Sequence, residues 1–385
     1  MPNLHTAKEG FCREITKYVF WVIVNMQRCI APIKYVREEL ALESLGELLP
    51  RAVRRVLIAG GKTALQVTGE RLTAGLKEAG REIAGCVWYG GECSPVNIEK
   101  LAAAVRDAGA EMLIGVGGGK ALDTAKGAAY LADVPVVTVP TIAATCAAFT
   151  GISIIYNEQG VFQEISRRVR LPDLVVVDLT TIARAPAGFL IAGIGDTLAK
   201  WYELKATARN RSDSAVIRSA LQLAAVAREV LVLHGEAALE AVRLREVNKH
   251  LAEVVDAIIM VSGLVSGLGG DECRTAAAHA VYSGLTCLPE THSRYHGESV
   301  AFGILVQLML ENNASEAREL INYYRKLGLP TTFVELGLAA VTPEKLAVVA
   351  AGALAAEDIQ NMPFSVDEEM LVQALMAADE LGRRL

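Results

Sequence analysis

Several features are missing from this sequence, and each absence excludes something. The seven cysteines, at positions 12, 29, 86, 93, 146, 273 and 287, contain no CxxC pair. This argues against a zinc ribbon, a dithiol redox motif and a disulfide framework, and places the chain in a reducing, cytoplasmic compartment. Positive charge is not in excess, with 38 Lys and Arg against 44 Asp and Glu, and the basic residues are interspersed with acids rather than gathered in a stripe. Nucleic acid is therefore not an expected partner. No apolar run reaches the roughly 20 residues of a membrane span. The nearest approach, YVFWVIVNM at 18–26, is too short and lacks a small-residue cleavage site, so residues 1–30 read as a peripheral extension and no membrane partner is expected. Fixed-period repeats, low-complexity tracts and Pro/Ser linkers are also absent.

What is present is a long, apolar chain: 385 residues, 52% of them hydrophobic. Single cores stop growing near roughly 250–300 residues, so two domains with a packed cleft between them are expected. Between residues 31 and 185, short β-branched runs alternate with amphipathic stretches. The strand candidates are RVLIA (55–59), CVWY (86–89), MLIGV (112–116), VPVVTVP (134–140) and LVVVD (174–178). Strand–helix–strand repeats imply parallel pairing through right-handed crossovers, hence a doubly wound α/β sheet covered by helices. GISIIYNEQGVFQEI within this region reads as a hairpin. Beyond Pro186 the β signal stops, and residues 186–385 predict an all-α domain broken at Gly235, at the glycines 263–270, around Pro289–Gly297, and at Pro330 and Pro363.

GVGGGKALDTAK, 115–126, stands where a buried strand gives way to a helix. It is neither GxGxxG nor a Walker A loop. Two readings fit: bare glycine amides and a helix N-terminus that cradle a pyrophosphate, or a tight turn that lets helix and strand pack closely. Asp123 and Lys126, one helical turn apart, read either as a surface ion pair or with Asp123 turned toward a cofactor.

In AGIGDTLAKWYE, 192–203, Asp196 stands behind two glycines where an apolar helix is expected to begin. It reads as an ordinary N-cap or first-turn acid, or as a charge placed for a ligand. His279 and His296 are each embedded in small or apolar residues, where an imidazole is costly without partners. Singly, each fits a satisfied core histidine. Jointly with Asp196 they offer two nitrogens and one oxygen from three helical segments, the donor set of an open divalent site. His292, four residues before His296, competes as a ligand, whereas His5, His234 and His250 sit in charged or terminal surroundings and are assigned to solvent.

Together with GGECS (90–94), VPTIAAT (139–145), LPDLVVVD (171–178), AAAHAVYSGLT, YHGESVAFG and IQNMP (359–363), these segments resemble the iron-containing alcohol dehydrogenase superfamily. The likeness runs from residue 33 to the C-terminus. It points to the glycerol dehydrogenase-like branch and, through TIAATCAA, GIGDTLAKWYE and GILVQ, toward its hydroxycarboxylate dehydrogenase-type members. The resemblance implies a dinucleotide-binding domain followed by a helical metal domain (the dehydroquinate synthase-like two-domain fold), with metal ligands at Asp196, His279 and His296. It places a pyrophosphate over Gly117, Gly118 and Gly119, Asp123 near the nicotinamide, and Thr138 and Thr141 along the cofactor groove. It also implies a homo-oligomer.

Three departures refine these expectations. Lys200 stands where iron-type members place a further histidine, which favours a three-ligand Zn²⁺ site over Fe²⁺. Cys146 replaces an aspartate that touches the polyol in glycerol dehydrogenases, so Lys200 becomes a candidate anchor for the carboxylate of a 2-hydroxy or 2-oxo acid, weighed against a solvated lysine on a helix face. Gly61 replaces an acid that bonds the ribose 2′-hydroxyl in NAD-preferring relatives, which favours NADP(H) over NAD(H). The expected activity is metal-dependent hydride transfer between NAD(P) and a small alcohol or carbonyl, best read as a 2-hydroxy/2-oxo acid. His292 is a candidate for contact with substrate or for proton exchange. Glycerol dehydrogenase is the alternative within the class, and a dehydroquinate synthase-like lyase the alternative outside it, for which only Lys200, Arg274 and Arg294 are available to meet a phosphate.

Overall fold

A computed structural model describes residues 31–210 and 214–385. The apolar stretch 18–26, His5, Cys12 and Cys29 lie outside the described residues. Six strands form one parallel sheet: β1 (Lys34–Glu38), β2 (Arg55–Gly60), β3 (Glu82–Trp88), β4 (Met112–Gly117), β5 (Val136–Pro140) and β8 (Leu174–Asp178), in the order β1-β8-β5-β4-β2-β3. The hairpin is present as β6 (Ser153–Tyr156) antiparallel to β7 (Phe162–Ser166).

The alternation of side chains along each strand sorts them onto two faces. Val56, Ile58, Ile114 and Val116 pack against α1 (Ala41–Leu48) and α2 (Lys62–Glu78). Leu57, Ala59 and Leu113 meet α3 (Pro95–Asp107) and α4 (Gly119–Ala132) on the other face. Helices on both faces leave the central strands wholly buried, which is why they read as unbroken apolar runs. Strand β1, KYVRE, is an addition to the sequence reading. It is charged and partly exposed, and it pairs with β8 some 140 positions later, Lys34 opposite Leu174.

After α5 (Leu179–Ala183) the chain is helical: α6 (Ala187–Thr207), α7 (Ala215–Leu244), α8 (Lys249–Asp256), α9 (Ser262–Arg274), α10 (Ala277–Leu285), α11 (His296–Leu310), α12 (Ala314–Leu327), α13 (Pro343–Ala355) and α14 (Glu368–Arg384). Among the described residues, Lys249–Gly270 is a helical run long and apolar enough to cross a membrane, and 61% of its most apolar window is buried inside the protein. One apolar core runs from Phe149, Val175 and Val177 of the α/β half into the helical half. Tyr35 and Arg37 of β1 reinforce that junction by donating to the Asp256 carboxylate, Tyr35 at 2.7 Å.

Three expectations about the helices need correction. The glycines 263–270 do not end a helix: α9 runs through Gly263, Gly267 and Gly269, and only Gly270, at φ 63°, leaves helical geometry as a kink. Gly235 does not break a helix: α7 runs through it, and a Cβ there would lie 2.2 Å from the Tyr323 hydroxyl, so the glycine makes room for α12. His234 and His250 are not solvated singly. They are half-buried between α7 and α8, with their Nδ1 atoms 2.8 Å apart.

Candidate active site

Asp196 is not at a helix start. It lies in the middle of α6, and the glycines before it serve close packing rather than capping, Gly193 against the Ala143 carbonyl and Gly195 against α11. A Cβ on Gly195 would fall 2.3 Å from the Gly297 carbonyl oxygen, and one on Gly297 would fall 1.8 Å from that of Ala192. Backbones can approach this closely because glycine, with no Cβ, stands at each of these contacts. The contact brings the first turn of α11, which carries His296, against the middle of α6, which carries Asp196. His279 arrives from α10, which packs on α11.

The three side chains converge. Asp196 Oδ1 lies 3.5 Å from His279 Nε2 and 3.4 Å from His296 Nε2, and one ligand atom from each residue falls within 4.8 Å of the others. Charge-assisted hydrogen bonds are shorter, near 2.7–2.9 Å. Ligands about 2.1 Å from a tetrahedral ion, by contrast, stand about 3.4 Å apart along a tetrahedron's edge. The donor set and spacing therefore fit a divalent cation. Burial opposes ionisation of Asp196, yet Lys200 and the two imidazoles hold its carboxyl well below the usual carboxylate range. The His296 side chain, 34% exposed against 5% for Asp196, gives the cluster its open side.

Lys200 is not a solvated lysine. It is buried one turn beyond Asp196, its Nζ 4.0 Å from Oδ1. Glu203, a further turn along the same face and fully buried, escaped the sequence reading. It accepts the backbone N–H groups of Ala276 and His279 and holds His279 Nδ1 at 2.7 Å. Burial and the Lys200 charge lower the His279 pKa, and the Glu203 and Asp196 carboxylates together more than reverse this, raising it to about 9. The spacing of Glu203 from Asp196, seven residues and so two helical turns, was the available signal. The turn before α10 is tied from the IQNMP segment, where Asn361 donates to the Thr275 carbonyl at 3.0 Å and Asp358 accepts the Thr275 hydroxyl. The Tyr282 ring meets His296 edge-on at 4.3 Å.

His292 stands outside this group, exposed, with Nε2 donating to the Thr286 carbonyl at 2.9 Å. Cys146 is buried, its Sγ 4.0 Å from Ser266 Oγ of α9. Arg294 is exposed and faces Glu298.

The glycine turn falls where the sequence placed it. Gly117 ends β4 at φ 145°, in the region that favours glycine, and Gly118 precedes α4 with no side chain capping the helix. Thr141 donates its N–H to the Gly117 carbonyl at 3.1 Å and so lies beside the turn. Thr138 does not face a groove: it is fully buried and its hydroxyl donates to the Ala148 carbonyl at 2.7 Å. Asp123 and Lys126 do not form a surface pair. Both are buried, 2.8 Å apart. Lys126 also donates to the carbonyls of Ala147, Thr150 and Ile152, and Asp123 accepts the Ile154 N–H. The pair thus pins the segment that runs from Cys146 into β6.

Residues 32–179 match the family model for iron-containing alcohol dehydrogenases. A glycerol dehydrogenase from Pseudomonas putida is 39% identical over 93% of this chain and 99% of its own length. The chain belongs to the iron-containing alcohol dehydrogenase family. As a member of that family it is an oxidoreductase acting on CH–OH groups, of the glycerol dehydrogenase type. Hydroxycarboxylate dehydrogenase A of Escherichia coli K12 is 42% identical over 65% of this chain and 69% of its own. The crystal structure of a probable glycerol dehydrogenase from Sinorhizobium meliloti superposes with a TM-score of 0.84 at 32% identity, covering 94% of this chain and all of the other. This places the two-part fold within the iron-containing alcohol dehydrogenase family.

Proposed function

We propose that this enzyme transfers hydride between NADP(H) and a small substrate whose reacting C–O group has a second oxygen on the neighbouring carbon, with vicinal diols and hydroxy-carbonyl compounds its primary class. The observation that carries this reading is the spacing of Asp196, His279 and His296, which matches the edge of a tetrahedral Zn²⁺ site open on the His296 side. When bound there, the ion supplies Lewis acidity to a substrate oxygen while the nicotinamide accepts or donates the hydride. Asp196 contributes the site's negative donor, Glu203 orients His279, and α6, α10 and α11 keep the donors in register before substrate arrives. The amides of the Gly117–Gly119 turn meet the cofactor pyrophosphate at the uncapped N-terminus of α4.

The similarity to a glycerol dehydrogenase over 99% of that protein's length supports a polyol over an acid. Lys200 is flanked on its own helix face by two buried carboxylates, Asp196 and Glu203, and so balances charge already present. A 2-hydroxy acid is retained as the second reading because Cys146 offers no carboxylate to a polyol and a relative named hydroxycarboxylate dehydrogenase A is 42% identical over the matched region.

At the cofactor's other end, a Cβ at Gly61 would meet only ordinary contacts at 3.8 Å, so the turn is roomy, and it carries no acid to repel a 2′-phosphate. Lys62, over the Trp88 ring at 4.5 Å, adds a cation beside it. The test is kcat/KM for glycerol, dihydroxyacetone, glycolaldehyde and 2-oxobutyrate with NADH and NADPH, on protein reconstituted with Zn²⁺ or Fe²⁺. The expected leaders are the hydroxy-carbonyl compounds with NADPH and Zn²⁺. Preference for 2-oxobutyrate installs the second reading, and failure with every substrate rejects both.

A further inference from the structure

We propose that Glu203 is a positioning residue that sets the tautomer of His279, and that it does so with a carboxylate because the same group must also cap α10. The inference rests on the reading of Asp196, His279 and His296 as metal ligands. Helix α10 begins after Ala276, whose side chain offers no cap. The acceptor is supplied instead from α6: Glu203 Oε1 takes the N–H of Ala276 at 2.7 Å and that of His279 at 3.0 Å. The other oxygen, Oε2, lies 2.7 Å from His279 Nδ1. An ionised carboxylate only accepts hydrogen bonds, so Nδ1 must carry a proton. The proton that a metal ion displaces is therefore the one on Nε2, which leaves the lone pair on the nitrogen that faces Asp196 across 3.5 Å.

Glutamine has the same shape and cannot do both tasks. Its amide oxygen has to face the two backbone N–H donors, which turns its NH₂ group toward Nδ1. That nitrogen must then accept, and the imidazole proton moves to Nε2, the atom needed as a ligand. With the amide flipped, an NH₂ group would point at two N–H donors. The helix cap survives Glu203→Gln only at the expense of the ligand nitrogen.

The experiment measures Zn²⁺ dissociation constants by chelator competition for the wild type and E203Q, alongside thermal unfolding of both metal-free forms and binding of NADPH. Expected is a 10- to 100-fold loss of Zn²⁺ affinity in E203Q, with metal-free unfolding and NADPH binding close to wild type. Equal Zn²⁺ affinity in the two proteins overturns the proposal, as does a loss of affinity fully accompanied by loss of the metal-free fold. Wild-type protein that takes up no stoichiometric Zn²⁺ fails the reading of the site itself, and the proposal falls with it. A measurement on the wild type covers the case in which E203Q does not fold: imidazole ¹⁵N spectra of the Zn²⁺-loaded protein should show His279 with a slowly exchanging proton on Nδ1. Ligation through Nδ1 rules the proposal out.

Discussion

Gly297 and Ala192 touch backbone to backbone: a Cβ added at Gly297 would sit 1.8 Å from the Ala192 carbonyl oxygen. This contact seats α11 on α6, and through it His296 reaches Asp196. Gly297→Ala must push the helices apart, an overpacking that costs about 1–3 kcal/mol and lengthens the 3.4 Å separation of the two ligands. Chemical denaturation should register the first effect and metal competition the second. A variant with unchanged metal affinity would show that the contact does not hold the site together.

Lys126 and Asp123 carry a second structural prediction. Lys126→Met strands a buried carboxylate and removes the donor from three carbonyls on the segment that leads from Cys146 to β6. Breaking one side of a buried pair costs about 3–5 kcal/mol. Urea unfolding should show a loss of that order, whereas a loss under about 1 kcal/mol would mean the pair is dispensable.

Removing the metal is expected to abolish turnover and to lower the unfolding temperature, because the ligands join three helices. Bound metal stabilises by about 2.7 kcal/mol when free ion exceeds its dissociation constant a hundredfold. Dialysis against a chelator followed by titration with Zn²⁺ and Fe²⁺ checks both effects, and restoration by Fe²⁺ alone would contradict the three-ligand zinc assignment.

The cofactor turn makes a prediction of opposite sign for two ligands. Gly61→Asp places a carboxylate where a side chain fits, so NADPH should bind more weakly by about tenfold or more, equivalent to ~1.4 kcal/mol, and NADH as well as before or better. Fluorescence titration with both nucleotides reads the ratio. An unchanged ratio would remove Gly61 from the argument for NADP(H).

Thiol chemistry offers a pH-dependent check. Burial, reinforced by Asp123, pushes the Cys93 thiol up to about 12, so at pH 8 only about one molecule in ten thousand carries the reactive thiolate there. Its alkylation should remain negligible at pH 8 and rise only as pH climbs toward 12. Site-resolved mass spectrometry after iodoacetamide treatment should find Cys86 and Cys287, both exposed, modified well ahead of Cys93.

Much of the architecture was legible locally. Four of the five strand candidates match β2, β4, β5 and β8 to within two residues, and the hairpin and the helical second half follow from periodicity. The fifth, 86–89, catches only the end of β3, which is partly exposed and so lacks the unbroken apolar run. Strand β1 was not legible, because KYVRE is short and charged and its partner strand lies some 140 positions later in the chain. Gly235 and Asp196 were misplaced for a related reason. A glycine inside a helix and a glycine beside its end look alike until the neighbouring helix is known.

For the site, the sequence alone determined which atoms were available: one carboxylate and two imidazoles on three segments, a glycine turn at a strand end, and no acid at Gly61. Chain chemistry and short-range period are properties of consecutive residues, so they can be read without a structure. Tertiary packing decided how each polar group is used. It turned Lys200 inward beside Asp196, committed Thr138 to the Ala148 carbonyl, closed Asp123 on Lys126, left His292 outside and brought Glu203 behind His279. These outcomes depend on distances of a few ångströms between elements far apart in the chain, and such distances follow from how closely helices can approach, which no single segment specifies.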